Sequence, residues 1–128
     1  NKSQNYNTNS TMGESAPKAK PAWCLVVCLK FDSDEKVQTL TEVFKPFVSY
    51  MKEHEPTTLA FEMMHSDKDP LQVLVFERYA DKDEAYLKIH RASEAFLAFR
   101  STLASLDPVI DGHSYWEGGS GFFERAVL

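Results

Sequence analysis

The sequence predicts a single α+β domain with the element order β-α-β-β-α-β. Three observations carry that expectation. The stretches from Ala22 to Phe31 and from Gln72 to Tyr79 are rich in β-branched and aromatic residues, as strands are. Between them, Val37, Leu40, Val43, Phe44, Phe47, Val48 and Met51 recur at spacings of three and four, the pattern of an amphipathic helix. At 128 residues and 43% hydrophobic content, the chain can build one core but not two ordinary domains.

Residues 1–21 hold many Asn, Ser, Thr and Lys and almost no large apolar side chains. Such a segment cannot bury enough surface to offset its ordering entropy, so a disordered tail is expected there. The domain then spans 22–117. Its first strand is apolar on both faces, with Trp23, Leu25, Val27 and Leu29 on one and Cys24, Val26 and Cys28 on the other. Four extended residues separate the two cysteines by about 13 Å. That exceeds the roughly 7 Å limit for a disulfide, so both thiols should be free. Free thiols suit a reducing compartment, and a cytoplasmic location is the expectation.

Ser33 is placed to cap the first helix, with Asp34 and Glu35 in its first turn where the macrodipole favours acids. Pro46 should kink this helix or shift its frame, and the helix ends before Pro56. Thr58 to His65 reads as the second strand, Ser66 to Pro70 as a polar turn, and Gln72 to Tyr79 as the third strand. Asp81, with Glu84 three residues on, approximates a capping box at the start of a helical region 81–106. That region breaks near Ser93 and carries His90, Phe96, Phe99 and Leu103. Val109 to Trp116 makes the last strand, and three glycines lead into a C-terminal arm, 118–128. This order is the ferredoxin-like split βαβ arrangement around a four-stranded antiparallel sheet.

Helices should cover only one side of that sheet, yet the first and third strands are apolar on both faces. A second copy of the same sheet is the simplest cover, so a homodimer is expected. The net charge of -5 and pI near 5.3 argue against nucleic acid or an anionic membrane as partner. The longest apolar run, Ala22 to Leu29, is far shorter than the about 20 residues of a membrane span. No signal-peptide pattern is visible.

The stretch from Glu55 to Phe99 resembles the antibiotic biosynthesis monooxygenase (ABM) domain family, of the dimeric α+β barrel group. Glu55-Pro56, Asp69-Pro70, Glu77, Tyr79, His90, Ser93 and Phe96 stand at positions of the family pattern, and the likeness extends from about Trp23 to Trp116. Thr57 replaces a glycine of that pattern, and Ala92-Ser93-Glu94 stands where many members have Ser-Pro-His. The resemblance implies a homodimer with a pocket between sheet and helices. It also implies cofactor-independent monooxygenation of a quinol or hydroxylated aromatic by molecular oxygen. In the haem-degrading branch a Trp stands at the position of His90 and an iron-ligating His at that of Arg100, so haem degradation is not implied.

His90 is the leading catalytic candidate, because a neutral imidazole can take a proton from a phenol or quinol. The same residue also reads as a packing histidine in a helix–sheet gap. Glu77 is the second candidate: it could orient His90 or bind a substrate hydroxyl, or equally pair with Arg78 or Arg100 as a structural ion pair. Phe44, Phe61, Tyr79, Phe96 and Phe99 could wall a cavity for a planar ligand, although periodicity alone assigns most of them to the core. His65 and His113, at strand ends, could reach the pocket mouth, and His54 reads as a loop residue. No H-E-x-x-H or comparable spacing points to a metal, and no cofactor is expected. With the same pocket, a non-catalytic dimeric binding module is the alternative.

Overall fold

The computed structural model describes residues 20–123. The expected tail up to residue 19 and the last five residues of the expected arm lie outside the described residues. Strand β1 (Trp23–Lys30) leads to helix α1 (Asp34–His54), β2 (Thr58–His65) and β3 (Gln72–Tyr79). A π-helix (Lys82–His90), helix α2 (Glu94–Ser105) and β4 (Val109–Trp116) complete the domain. The sheet order is β2-β3-β1-β4, with all three pairings antiparallel. This is the ferredoxin-like fold that the element order predicts.

Local chemistry sets the element ends. Ser33 is extended and its hydroxyl accepts from the Lys36 N–H, capping α1. The helix runs on through Pro46 to His54, so the helical segment is not interrupted there. His54 is its last residue rather than a loop residue, with its ring against that of Tyr50. Asp81 Oδ1 accepts from both Glu84 N and Ala85 N at 2.9 Å, which starts the next helical segment. That segment was expected to be α-helical. Instead it winds as a π-helix, closed by the Arg91 N–H to Tyr86 carbonyl bond five residues back. Ser93 accepts from Phe96 N and starts α2, the break expected at that residue. Asp107 takes a positive φ of 51° and turns the chain towards β4.

The pleat sorts the strand residues. In register, Trp23, Leu25, Val27 and Leu29 lie opposite Tyr79, Glu77, Val75 and Val73, all facing the helices. Leu29, Phe31, Val73, Val75, Val37, Leu40, Phe44 and Leu106 form the main buried cluster. Trp23, Tyr79 and Ala85 form a second one at the other end, joined by Tyr86. The opposite sheet face carries Cys24, Val26, Cys28, Leu74, Phe76, Met64 and Tyr115 and receives no helix among the described residues. Every residue of β4 is exposed, including Ile110 and Trp116. After Trp116 the chain crosses this open face. The Glu117 carboxylate accepts from Arg78 Nε at 2.5 Å and Nη2 at 3.2 Å, and the Phe123 ring lies 5.8 Å from Phe76. Cys24 and Cys28 are both unpaired thiols.

Candidate active site

The second buried cluster leads directly to the site. Alternation along β3 turns Glu77 and Tyr79 towards the helices, two residues apart on one face. The Tyr79 hydroxyl donates to Glu77 Oε1 at 2.5 Å, with both groups buried. Burial removes the water that would stabilise the ionised carboxylate. It pushes the Glu77 pKa up to about 7, against a smaller downward pull from the Tyr79 hydrogen bond. Burial, followed by the neighbouring Glu77 charge, likewise raises the Tyr79 phenol.

His90, the last residue of the π-helix, is 1% exposed. Its Nδ1 lies 2.9 Å from Glu55 Oε1. A carboxylate only accepts, so the proton of neutral His90 sits on Nδ1 and Nε2 keeps its lone pair. Among the described residues Nε2 has no hydrogen-bond partner. Five aromatic rings enclose the imidazole: Phe47 at 5.4 Å, Phe61 at 5.5 Å, Tyr79 at 5.1 Å, Tyr86 at 6.0 Å and Phe96 at 5.2 Å between centroids. This burial lowers the His90 pKa, outweighing the upward pull of the Glu55 carboxylate. At neutral pH the imidazole is therefore a free base.

Glu55 is positioned by the end of α1. It is the C-cap residue, its N–H bonds to the Met51 carbonyl at 2.8 Å, and Pro56 forbids a further turn. Its side chain is thereby swung under His90 at 2% exposure. Oε1 accepts a second bond from the Thr58 hydroxyl at 2.8 Å, whereas Oε2 is buried without a partner among the described residues.

The sequence-based expectation for Glu77 as orienter of His90 needs correction. Glu55 holds that position, and Glu77 is taken by Tyr79, because the two lie on one face of one strand. Nor does Glu77 pair with Arg78, which lies on the opposite face and binds Glu117. Of the expected wall residues, Phe61, Tyr79 and Phe96 touch the His90 ring. Phe44 and Phe99 stand one layer back, against Phe61 and Phe47. His65 does not belong to the cluster. It ends β2 seven residues beyond Thr58, about 23 Å along the strand, and is exposed. His113 lies within β4, exposed and bonded to Asp111, not at a pocket mouth. Tyr86, stacked on His90 at 21°, was not foreseen. No group of three His, Cys, Asp or Glu side chains converges among the described residues.

A ferredoxin-like domain with a buried histidine–carboxylate pair between its sheet and helices is thus the class that fold and site define. Residues 29–102, more than half of the chain, match the antibiotic biosynthesis monooxygenase family, and the chain belongs to it. A candidate antibiotic biosynthesis monooxygenase from Caulobacter crescentus is 26% identical, with a TM-score of 0.62 over 74% of this chain and 90% of that one. A candidate of the same description from Nitrosomonas europaea is 18% identical, with a TM-score of 0.68 over 82% and 98%. A variant of SnoaB, a cofactor-independent oxygenase from Streptomyces nogalater, shares the fold at 13% identity, with a TM-score of 0.60 over 84% and 96%. The chain has no match among curated proteins. Among the described residues no helix is long and apolar enough to cross a membrane.

Proposed function

We propose that this protein is a monooxygenase of a quinol or hydroxylated aromatic, with the Glu55–His90 pair as its base and no cofactor required. The observation that carries this reading is the neutral imidazole held through Nδ1 by a buried carboxylate inside a cage of aromatic rings. The pair can accept one proton, and Glu55 stabilises the imidazolium that results. Loss of the phenolic proton leaves an electron-rich anion that can reduce oxygen itself. One oxygen atom then replaces a ring hydrogen and the other leaves as water. The quinol gives up four electrons in becoming a hydroxyquinone, so the balance closes without an outside reductant.

Oxygen uptake with a panel of quinols tests the reading. His90→Gln keeps much of the volume and a donor towards Glu55 but lacks a basic nitrogen. Turnover should fall by about 10²–10⁴-fold in that variant. A fully active His90→Gln would remove His90 from the mechanism. The second reading, a binding module without turnover, is favoured by the tight enclosure of the imidazole. Saturable quinol binding without oxygen uptake would select it.

We also propose a homodimer that packs open sheet face against open sheet face. The half-buried Val26, Cys28, Leu74 and Phe76 and the exposed Met64 and Tyr115 support it. An interface on the order of 2,000 Å² or more is expected, as in obligate dimers. Sedimentation should give a dimer at micromolar concentration, and a monomer there would overturn the proposal.

A further inference from the structure

A cage that leaves His90 1% exposed cannot serve a working base unless one of its walls gives way. The five rings are not held alike. Phe47 and Tyr79 are themselves buried. Phe61 belongs to β2, which is paired along its length to β3, and it packs on Phe44 and Phe47. Tyr86 is fixed by Trp23 at 4.7 Å and Tyr79 at 5.1 Å between centroids. Phe96 is the exception. It comes from α2, a helix with no buried residue, packed chiefly on α1. The two ends of α2 also differ. Its C-cap, Leu106, is part of the main buried cluster. Its first turn is fastened to the cage by the Ser93 hydroxyl, which donates to the His90 carbonyl at 3.0 Å and accepts from the Phe96 N–H at 3.0 Å. Alongside, a groove of about 380 Å³ runs between α1 and α2, lined by Val43, Pro46, Phe47, Ala95 and Phe99. Phe99 lies three residues beyond Phe96, on the same helix face, and stacks on Phe47 at 4.8 Å. Phe47 is in turn 5.4 Å from His90, so the groove stops one ring short of the imidazole.

We propose that α2 is a lid over the Glu55–His90 pair, which pivots on Leu106, lifts its first turn when Ser93 releases the His90 carbonyl, and opens the α1–α2 groove as the ligand's way in. Lifting α2 carries off Phe96 and Phe99 together, because the two share a face. Phe47, Phe61, Tyr79 and Tyr86 stay behind as the walls for a planar ligand. The groove alone already falls within the about 300–1,000 Å³ of small-molecule pockets. Such local opening is cheapest where few apolar groups are buried, and α2 fits that description better than α1 or the sheet. The lid rests on the proposed use of His90 as a base, since a packing histidine needs no way in.

The test reads access to His90 in the intact protein without any quinol. Diethyl pyrocarbonate acylates the free nitrogen of a neutral imidazole, and peptide mass spectrometry follows each of the four histidines separately. His54, His65 and His113 are exposed and serve as internal standards. His90 should react more slowly than these, at a rate that low urea hardly changes, because a local opening exposes little surface. Ser93→Ala should raise that rate about fivefold, the factor carried by the loss of one N-cap. Ser33→Ala removes the matching cap from α1, which stays folded while the lid lifts, and should leave the rate at His90 unchanged. Thermal unfolding checks that both variants are folded. An unchanged rate in Ser93→Ala would overturn the lid. So would an equal rise in both variants, the mark of global unfolding. A lid that opens as expected in a protein that oxidises no quinol would uphold this inference and refute the oxygenase reading instead.

Discussion

Replacing His90 by Ala should cost about 1–3 kcal/mol of folding stability for the buried acceptor left without its donor, and more for the void that the ring leaves. The reason lies in Glu55. Without the imidazole, its carboxylate stays 2% exposed with only the Thr58 hydroxyl as donor. The ring's removal also leaves a void among five aromatic neighbours. Glu55→Ala creates the converse defect, an imidazole N–H and the Thr58 hydroxyl without an acceptor, each worth about 1–3 kcal/mol. The two substitutions act on one interaction, so their costs should not add. The double variant should be less damaged than the sum by roughly 0.5–3 kcal/mol. Urea unfolding of all four proteins at one fixed protein concentration checks this, since association would otherwise shift the midpoints. Additive costs would mean that the pair contributes nothing as a pair. A loss of stability in His90→Ala therefore does not argue against a catalytic role, which is why the activity test relies on Gln.

The sequence made most of this architecture legible, for a physical reason. Helices α1 and α2 repeat apolar residues at spacings of three and four, β1 and β3 stand out as runs of β-branched and aromatic residues, and Pro, Asp or Ser stands beside most of the element ends. The site was legible only in part. His90, Phe61, Tyr79 and Phe96 stood out as residue types in the right elements, but the partner of His90 is 35 positions away. Glu55 was visible as half of a Glu-Pro motif, with no sign of where its side chain points. That direction depends on the C-cap conformation, φ -126° and ψ 73°, which no local pattern encodes. The π-helix was hidden for a related reason. Its buried residues, Ala85 and His90, are five apart, while Leu87 and Ile89 look outward at 40% and 39% exposure. An α-helical reading buries the wrong set and overlooks Tyr86. The Glu77–Tyr79 bond, by contrast, was within reach, since residues i and i+2 of a strand always share a face.

Glu77→Gln should stabilise the protein at alkaline pH and leave it little changed in acid. The folded pKa of Glu77 is pushed up to about 7, chiefly by burial, while an unfolded glutamate titrates near its ordinary value of 4.5. Between those values the folded state holds a proton that the unfolded state has lost. Stability therefore falls as pH rises through that window. Below about pH 4.5 both states are protonated and the group contributes nothing. Above about pH 7 both are ionised, and the full cost of a buried carboxylate is present, roughly 3 kcal/mol from the difference between the two values. Gln does not titrate, and its amide oxygen can still accept from the Tyr79 hydroxyl 2.5 Å away in the parent. The stability difference between variant and parent should be near zero at pH 4.5 and reach about 3 kcal/mol in favour of Gln at pH 8. Urea midpoints across that range measure it, and a difference independent of pH would refute the assignment. The same variant bears on chemistry, because a carboxyl titrating near neutrality is also a candidate proton donor. If Glu77→Gln gains stability and retains oxygen uptake, Glu77 only supports Tyr79. If it gains stability and loses uptake, the site uses a second acid alongside the Glu55–His90 pair.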